Sequence, residues 1–197
     1  MTGRKREIQP ADLMSAEAYA KVRKERRAGL VLRKRNRRLE VGPVATLHFE
    51  NYESMWFQVQ EMLHIERGGE AQIEGELAAY NPLVPKGSEL VATVLFEVDD
   101  PERRKTFLAK LGGVEQSAFI EVGGERIGGV PEADQDRSTA EGKASSVQFI
   151  HFPFSAIAIA KFRVVGAKVT VGFEHPAYAH MTVMPEAVRA ALAEDFE

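Results

Sequence analysis

Several carboxylate and histidine residues lie close together in the sequence and could take part in metal binding or acid–base catalysis. Glu61 and His64 form a Glu-x-x-His pair on one face of a predicted helix. Di-iron bundles use this spacing twice and add further glutamates, whereas the sequence contains one copy, so we interpret the pair as an exposed structural one. Strand histidines with a neighbouring carboxylate or turn are weaker candidates for metal ligands. The candidates are three histidines, His48, His151 and His175, and the carboxylate of Glu50.

The absence of cysteine limits the remaining chemistry. The chain cannot form a disulfide, a thiolate nucleophile or a cysteine-ligated iron–sulfur cluster. Its paired glycines do not form a dinucleotide-binding or phosphate-binding loop, and no nucleophile elbow is present. We therefore predict no cofactor.

Polar side chains in four separate segments could together form a pocket for a small ligand or a metal. Lys143 with the two following serines could hold an anion, although a structural entry into a strand is the simpler interpretation. The ligand-binding candidates are Gln58, Glu61, Tyr80, Asn81, Lys143, Ser145, Ser146 and His175.

Positive charge is concentrated near the start of the chain. Residues 1–38 contain 13 of the 26 Lys and Arg but four of the 29 acids, while the net charge is −3. Helical spacing places five of these cations on one face, opposite a thin apolar stripe, and we predict that this face binds a partner or a polyanion. The alternative is that the arginines neutralise acids of the chain's own body. The five cations are Arg23, Arg26, Arg27, Lys34 and Arg37.

Three regions are predicted along the chain. Residues 1–11 are expected to be a flexible basic lead, residues 12–40 a basic amphipathic helix, and residues 41–197 an α+β body. Strands and helices mix in the body without a regular βαβ alternation. The predicted fold is therefore a single α+β domain with a mixed or mainly antiparallel sheet, preceded by a long basic helix.

The sequence resembles a bacterial family catalogued as domain of unknown function 3501. The resemblance runs from Asp12 to the terminal helix, with two departures, Ala144 where the family pattern has threonine and Gln148 where it has histidine. The second departure puts any ligand role at position 148 in doubt. Four segments carry the resemblance: QVQEMLHIE (58–66), YNPLVP (80–85), KASSVQF (143–149) and EHPAY (174–178).

The resemblance implies a functional neighbourhood, because family members tend to be encoded beside rubrerythrin-like di-iron proteins and iron–sulfur oxidoreductases. The leading hypothesis is an accessory or binding protein of such an oxidative-stress redox system, acting through protein–protein contact. A metal- or small-ligand-binding enzyme with a His/Glu/Asn pocket, and nucleic-acid binding through the basic helix, are the alternatives. We also expect a cytoplasmic protein without a membrane span, and a homodimer to cover the long helix.

Overall fold

Nine strands in two antiparallel sheets and six α-helices make up the described part of the chain, which is residues 5–132 and 144–197 of a computed structural model. The predicted α+β class is confirmed, with two sheets in place of one. The strands are β1 Arg38–Val41, β2 Ala45–Phe49, β3 Glu89–Phe96, β4 Ala118–Val122, β5 Glu125–Gly128, β6 Val130–Pro131, β7 Val147–Pro153, β8 Val169–His175 and β9 Tyr178–Val183. The helices are α1 Ala16–Lys34, α2 Tyr52–Glu66, α3 Glu70–Tyr80, α4 Pro101–Leu108, α5 Ala156–Arg163 and α6 Glu186–Ala193.

The two sheets share one hydrophobic core. The larger sheet has the order β1-β2-β3-β7-β6 and the smaller one β5-β4-β8-β9. Because strand side chains alternate between faces, β2 directs Ala45, Leu47 and Phe49 into this core. The smaller sheet contributes side chains such as Val171 and Phe173 to the same cluster.

A buried tyrosine connects the two sheets at one end of this core. The Tyr178 hydroxyl of β9 donates to the Val41 carbonyl at 2.6 Å and accepts from the Ala45 amide at 3.0 Å. Both partners belong to the hairpin of β1 and β2. Burial raises the pKa of the Tyr178 hydroxyl further above neutral pH.

The opposite face of the larger sheet carries α2. Asn51 caps this helix by accepting from the Ser54 amide at 2.9 Å. Met55 and Val59 of α2 pack on Val91 of β3 in a second, smaller hydrophobic cluster. The helices α1 and α3 flank α2, so the face of the sheet that faces away from the core is covered by a helical layer.

The first helix is shorter than predicted. Ser15 caps it and it ends at Lys34, after which residues 35–37 form a 3-10 turn and residues 38–41 form β1. The basic residues around position 38 concealed the strand in the sequence, because Leu39 and Val41 alternate into the core with charged neighbours between them.

The chain before the helix is bonded to the body. Ile8 is 1% exposed, and its amide and carbonyl both bond to the Asn81 side chain, at 2.7 and 3.0 Å. Trp56 of α2 donates from its indole nitrogen to the Asp12 carbonyl at 2.9 Å. Residues 5–13 therefore lie across the helical layer, where the sequence predicted a flexible lead up to residue 11.

Candidate interaction site on the first helix

The helix α1 lies on α2 through two buried side chains, Tyr19 and Leu30. The Tyr19 ring meets the rings of Trp56, Phe57 and His64 edge to face, with centroids 5.8–6.3 Å apart. Such edge contacts add to the energy of burial. The side chain of Tyr19 therefore fixes which face of α1 is turned toward the body.

Glu61 is fully engaged at this helix–helix contact. Its carboxylate accepts two bonds from the Arg23 guanidinium, at 2.8 and 2.7 Å, and one from the Tyr19 hydroxyl at 2.6 Å. The bonds from Arg23 hold the pKa of Glu61 well below its ordinary value, at about 2. The Glu61–His64 pair is thus structural, as predicted, but it lies in the interface between helices and is not exposed.

The five cations predicted to face a partner are mostly turned toward the body. Arg23 pairs with Glu61, and the Arg26 guanidinium lies over the Trp56 ring, 5.4 Å from its centroid. Lys34 is half-buried and Arg27 is exposed. The five cations therefore do not share one solvent-facing surface, because Tyr19 and Leu30 lie on the buried face of the helix among these arginines.

Arg37 departs most clearly from the predicted solvent-facing position. It is 7% exposed and forms an ion pair with Asp195, next to the C-terminal helix. Its guanidinium also donates to the carbonyls of Phe49 and Glu50, at 3.0 and 2.9 Å. Arg37 is part of the buried framework and does not lie on a surface that a partner could reach.

The surface of α1 that does face solvent carries a different set of cations. Successive members are three or four residues apart, so they lie in one stripe along the helix. Val31, which is 56% exposed, lies in the middle of the stripe. We call this stripe the outer α1 surface. It consists of Lys21, Lys24, Arg27, Val31 and Arg35, and all five are exposed.

The sequence did not single out Lys21, Lys24 and Arg35 as interaction residues. The signal that could have found them is the position of Tyr19, the bulkiest apolar side chain of the helix. Placing Tyr19 on the buried face leaves these residues on the opposite side.

Of the ligand-binding candidates, a hydrogen bond joins Gln58 and Tyr80, from the amide nitrogen to the hydroxyl at 3.4 Å. Asn81, next to Tyr80, uses both ends of its side chain to hold Ile8. Glu61 faces α1 and is saturated by its own partners. These residues occupy the helical layer, but their polar groups serve contacts within the chain.

The other ligand-binding candidates lie away from that layer. The Ser145 hydroxyl accepts from the Val147 amide at 3.2 Å, and the Ser146 carbonyl accepts from the Phe96 amide at 2.8 Å. These bonds guide the chain into β7. Lys143 lies outside the described residues. His175, at the end of β8, accepts from the Ala177 amide at 3.2 Å and directs its other ring nitrogen to the Gly112 carbonyl at 3.1 Å.

Two of the metal candidates lie at the end of β2, His48 within the strand and Glu50 directly after it. Glu50 is 4% exposed, and its carboxylate accepts from the Ser54 hydroxyl at 2.6 Å and the Thr93 hydroxyl at 2.8 Å. His48 is half-buried, and burial lowers its pKa. Glu50 is therefore held by hydroxyl groups of α2 and β3 in this structure.

On β7, His151 lies between two carboxylates, where this strand pairs with both β3 and β6. Its Nδ1 is 2.9 Å from Glu89 and its Nε2 is 2.8 Å from Glu132. The hydrogen bond to Glu89 is the main cause that raises the pKa of His151, and Glu132 adds to it. Because the two carboxylates contact opposite nitrogens of the ring, they favour its imidazolium form. The three side chains do not converge on one point where a metal ion could bind.

Two further observations concern the described part of the chain as a whole. Within residues 5–132 and 144–197, no group of three or more His, Asp or Glu side chains is arranged to hold a metal ion. None of the helices there is long and apolar enough to cross a membrane.

An open cleft of about 750 Å³ separates the end of α1 from the start of α2 and the C-terminal helix. Its exposed cations are matched by carboxylates of the same chain, so the cleft has little unbalanced charge to select a ligand. The matched pairs are Lys5 with Asp12, Arg6 with Glu197 and Arg33 with Glu53.

Two antiparallel sheets around a shared core, with three helices over one face, define a two-sheet α+β protein. The chain belongs to the family described as protein of unknown function (DUF3501), whose model matches residues 7–196, so the resemblance seen in the sequence is confirmed. It is similar to a novel protein of unknown function from Burkholderia pseudomallei K96243, known from a crystal structure. The two are 34% identical with a TM-score of 0.89, over 96% of this chain and 99% of that chain. No curated protein matches the chain.

Proposed function

We propose that the chain is a binding protein that acts through protein–protein contact at the outer α1 surface, and that its partner is an acidic redox protein. The observation that carries this proposal is the stripe of exposed cations beside an exposed Val31. The other arginines of α1 that pair with carboxylates do so within the chain. The stripe is the part of the helix where several exposed cations lie together on one side.

Charge complementarity favours an acidic partner over a neutral one. Four cations in one stripe attract a surface rich in Asp and Glu, and such attraction raises the association rate and selects the partner's orientation. The exposed valine within the stripe adds an apolar contact, which a purely electrostatic polyanion site would not need. These features support a folded protein as the occupant.

The class of partner comes from the family resemblance. Family members tend to be encoded beside rubrerythrin-like di-iron proteins and iron–sulfur oxidoreductases. Since the chain has no cysteine, it cannot carry its own cysteine-ligated cluster. A role as an accessory protein that docks on such a redox protein suits both observations.

The test is binding of the purified chain to a purified rubrerythrin-like protein from the same organism, with both samples treated with nuclease. We expect association at about 50 mM salt that weakens strongly at about 200 mM salt, because screening reduces contacts between exposed charges. No association at the lower salt concentration would contradict the proposal. Binding that requires added nucleic acid would replace it with the nucleic-acid alternative.

A further inference from the structure

An aromatic pocket of about 400 Å³ lies between the N-terminal segment, α1 and α2. Its walls include two aliphatic side chains, Met14 and Leu30, and three aromatic rings, Tyr52, Trp56 and Phe57. This volume is within the range of pockets that take small organic ligands. The pocket is distinct from the outer α1 surface, which is on the opposite side of the helix.

The Trp56 ring is held in position from two sides. Its indole nitrogen donates to the Asp12 carbonyl at 2.9 Å, and the Tyr19 ring contacts it edge-on with centroids 6.2 Å apart. A ring fixed in this way needs no reorientation when a ligand enters the pocket, so that less conformational entropy is lost on binding.

The carboxylates that line the pocket are already paired within the chain. Asp12 bonds to Lys5 and to the Gln9 amide, the latter at 3.0 Å. Glu53 forms an ion pair with Arg33 at 2.6 Å. The negative charge at the pocket is therefore compensated by the chain's own cations.

Arg26 differs from these cations because, among the residues that the structure describes, it contacts a ring and not a carboxylate. Its guanidinium lies over Trp56, 5.4 Å from the ring centroid, and the side chain is exposed. A guanidinium can stay against an aromatic ring while donating two parallel bonds to a carboxylate. Arg26 thus adds an uncompensated positive charge to an aromatic pocket.

We propose that this pocket binds a small aromatic carboxylate. The ligand ring lies against Trp56 and Phe57, and its carboxylate accepts bonds from Arg26. This site goes beyond the protein-docking function, since it uses another face of the helix and a different class of ligand.

Trp56 provides a direct test, because it is the single tryptophan of the chain. We would titrate the full chain with 3-phenylpropionate and follow tryptophan emission, with calorimetry as a second readout. We expect a saturable change with a dissociation constant of about 1 mM or tighter, as suits a ligand of this size. The alcohol 3-phenylpropan-1-ol, which keeps the ring but lacks the charge, is expected to bind about tenfold more weakly.

The matched variants are Arg26→Gln and Arg27→Gln, which remove exposed cations that are adjacent in sequence but point about 100° apart around the helix. Calorimetry is expected to show about tenfold weaker binding of 3-phenylpropionate to the first variant and unchanged binding to the second. Absence of saturation up to about 10 mM ligand would overturn the proposal. Equal affinity for the acid and the alcohol, or equal binding by the Arg26→Gln variant and the unmodified chain, would overturn it as well.

Discussion

Arg37 and Asp195 form a buried ion pair between the end of the first helix and the C-terminal end of the chain. Their side chains are 8% and 4% exposed. Since Arg37 also donates to the carbonyls of Phe49 and Glu50, it joins three segments that are far apart in sequence. A basic residue that the sequence assigned to a partner surface thus holds the helical layer on the body.

Loss of one member of this pair should destabilise the fold strongly. We expect Arg37→Met to lower the free energy of unfolding by about 3–5 kcal/mol, because the buried carboxylate of Asp195 would lose its ion pair with Arg37. Urea denaturation measures the change. Arg33→Ala, which breaks an exposed ion pair with Glu53, is the control and should cost less than about 1 kcal/mol. Equal losses in the two variants would contradict this account of Arg37.

Glu61 should make stability depend on acid pH. Its pKa is lowered to about 2 from an ordinary value of 4.5, mainly by the Arg23 guanidinium. A carboxyl group with a depressed folded-state pKa stabilises the fold above pH 4.5, and that contribution is lost as pH falls toward 2. The stability difference between the unmodified chain and Glu61→Gln should therefore shrink over this interval in thermal denaturation. A difference that does not change with pH would be the contrary result, and Glu74→Gln on exposed α3 serves as the control.

His151 should make the stability of the fold depend on pH in the opposite sense to Glu61. Hydrogen bonds to Glu89 and Glu132 raise its pKa above 6.5, so the imidazolium stabilises the fold at pH values below 6.5. That contribution is lost as pH rises through the raised pKa of the folded state. We expect an NMR titration to give a pKa for His151 above 6.5, and Glu132→Gln to bring it down. A pKa at or below 6.5 in the unmodified chain would refute this assignment.

Asn81 should control the attachment of the N-terminal segment. Asn81→Ala removes both bonds to the backbone of buried Ile8, and an unpaired buried backbone group costs about 1–3 kcal/mol. Hydrogen exchange at the Ile8 amide should accelerate in this variant. Asn36→Ala, in an exposed turn, should leave that exchange rate unchanged. Slow exchange at Ile8 in both variants would show that other contacts hold the segment.

The fold class and most helix starts could be predicted because they rest on local chemistry. Asn51, Asp100 and Ser155 each cap a helix through their own side chains, as their residue types indicate. The sequence did not predict β1, β6 or β9 as strands. In β1 the buried Leu39 and Val41 alternate with charged residues, and β9 exposes apolar residues such as Met181. Both strands pair with a neighbour that is adjacent in sequence, β1 with β2 and β9 with β8, so they were missed because of their own charged or exposed side chains.

The interaction surface could be predicted only in part, because the orientation of α1 depends on long-range contacts. Arg23 pairs with Glu61, which is 38 residues away, and Arg37 pairs with Asp195, which is 158 residues away. Neither pairing leaves a local pattern in the sequence. The concentration of cations in this region was visible in the sequence, whereas the division between inward and outward cations required the structure.

The outer α1 surface is the central claim, and charge reversal tests it most directly. We would measure binding of a purified rubrerythrin-like protein to the chain carrying Lys21→Glu, Lys24→Glu and Arg27→Glu. A matched control would carry Arg103→Glu, Lys105→Glu and Lys110→Glu, which reverse three exposed cations in and beside α4. The neutral set Lys21→Gln, Lys24→Gln and Arg27→Gln would separate loss of attraction from repulsion.

The account predicts that reversal on α1 weakens binding at low salt by at least about tenfold and that the α4 set changes it by less than about twofold. The neutral set should give an intermediate affinity. Equal weakening by the α1 and α4 sets would mean that net charge and not a defined surface governs association. Unchanged binding by the α1 set would contradict the outer α1 surface as the docking site.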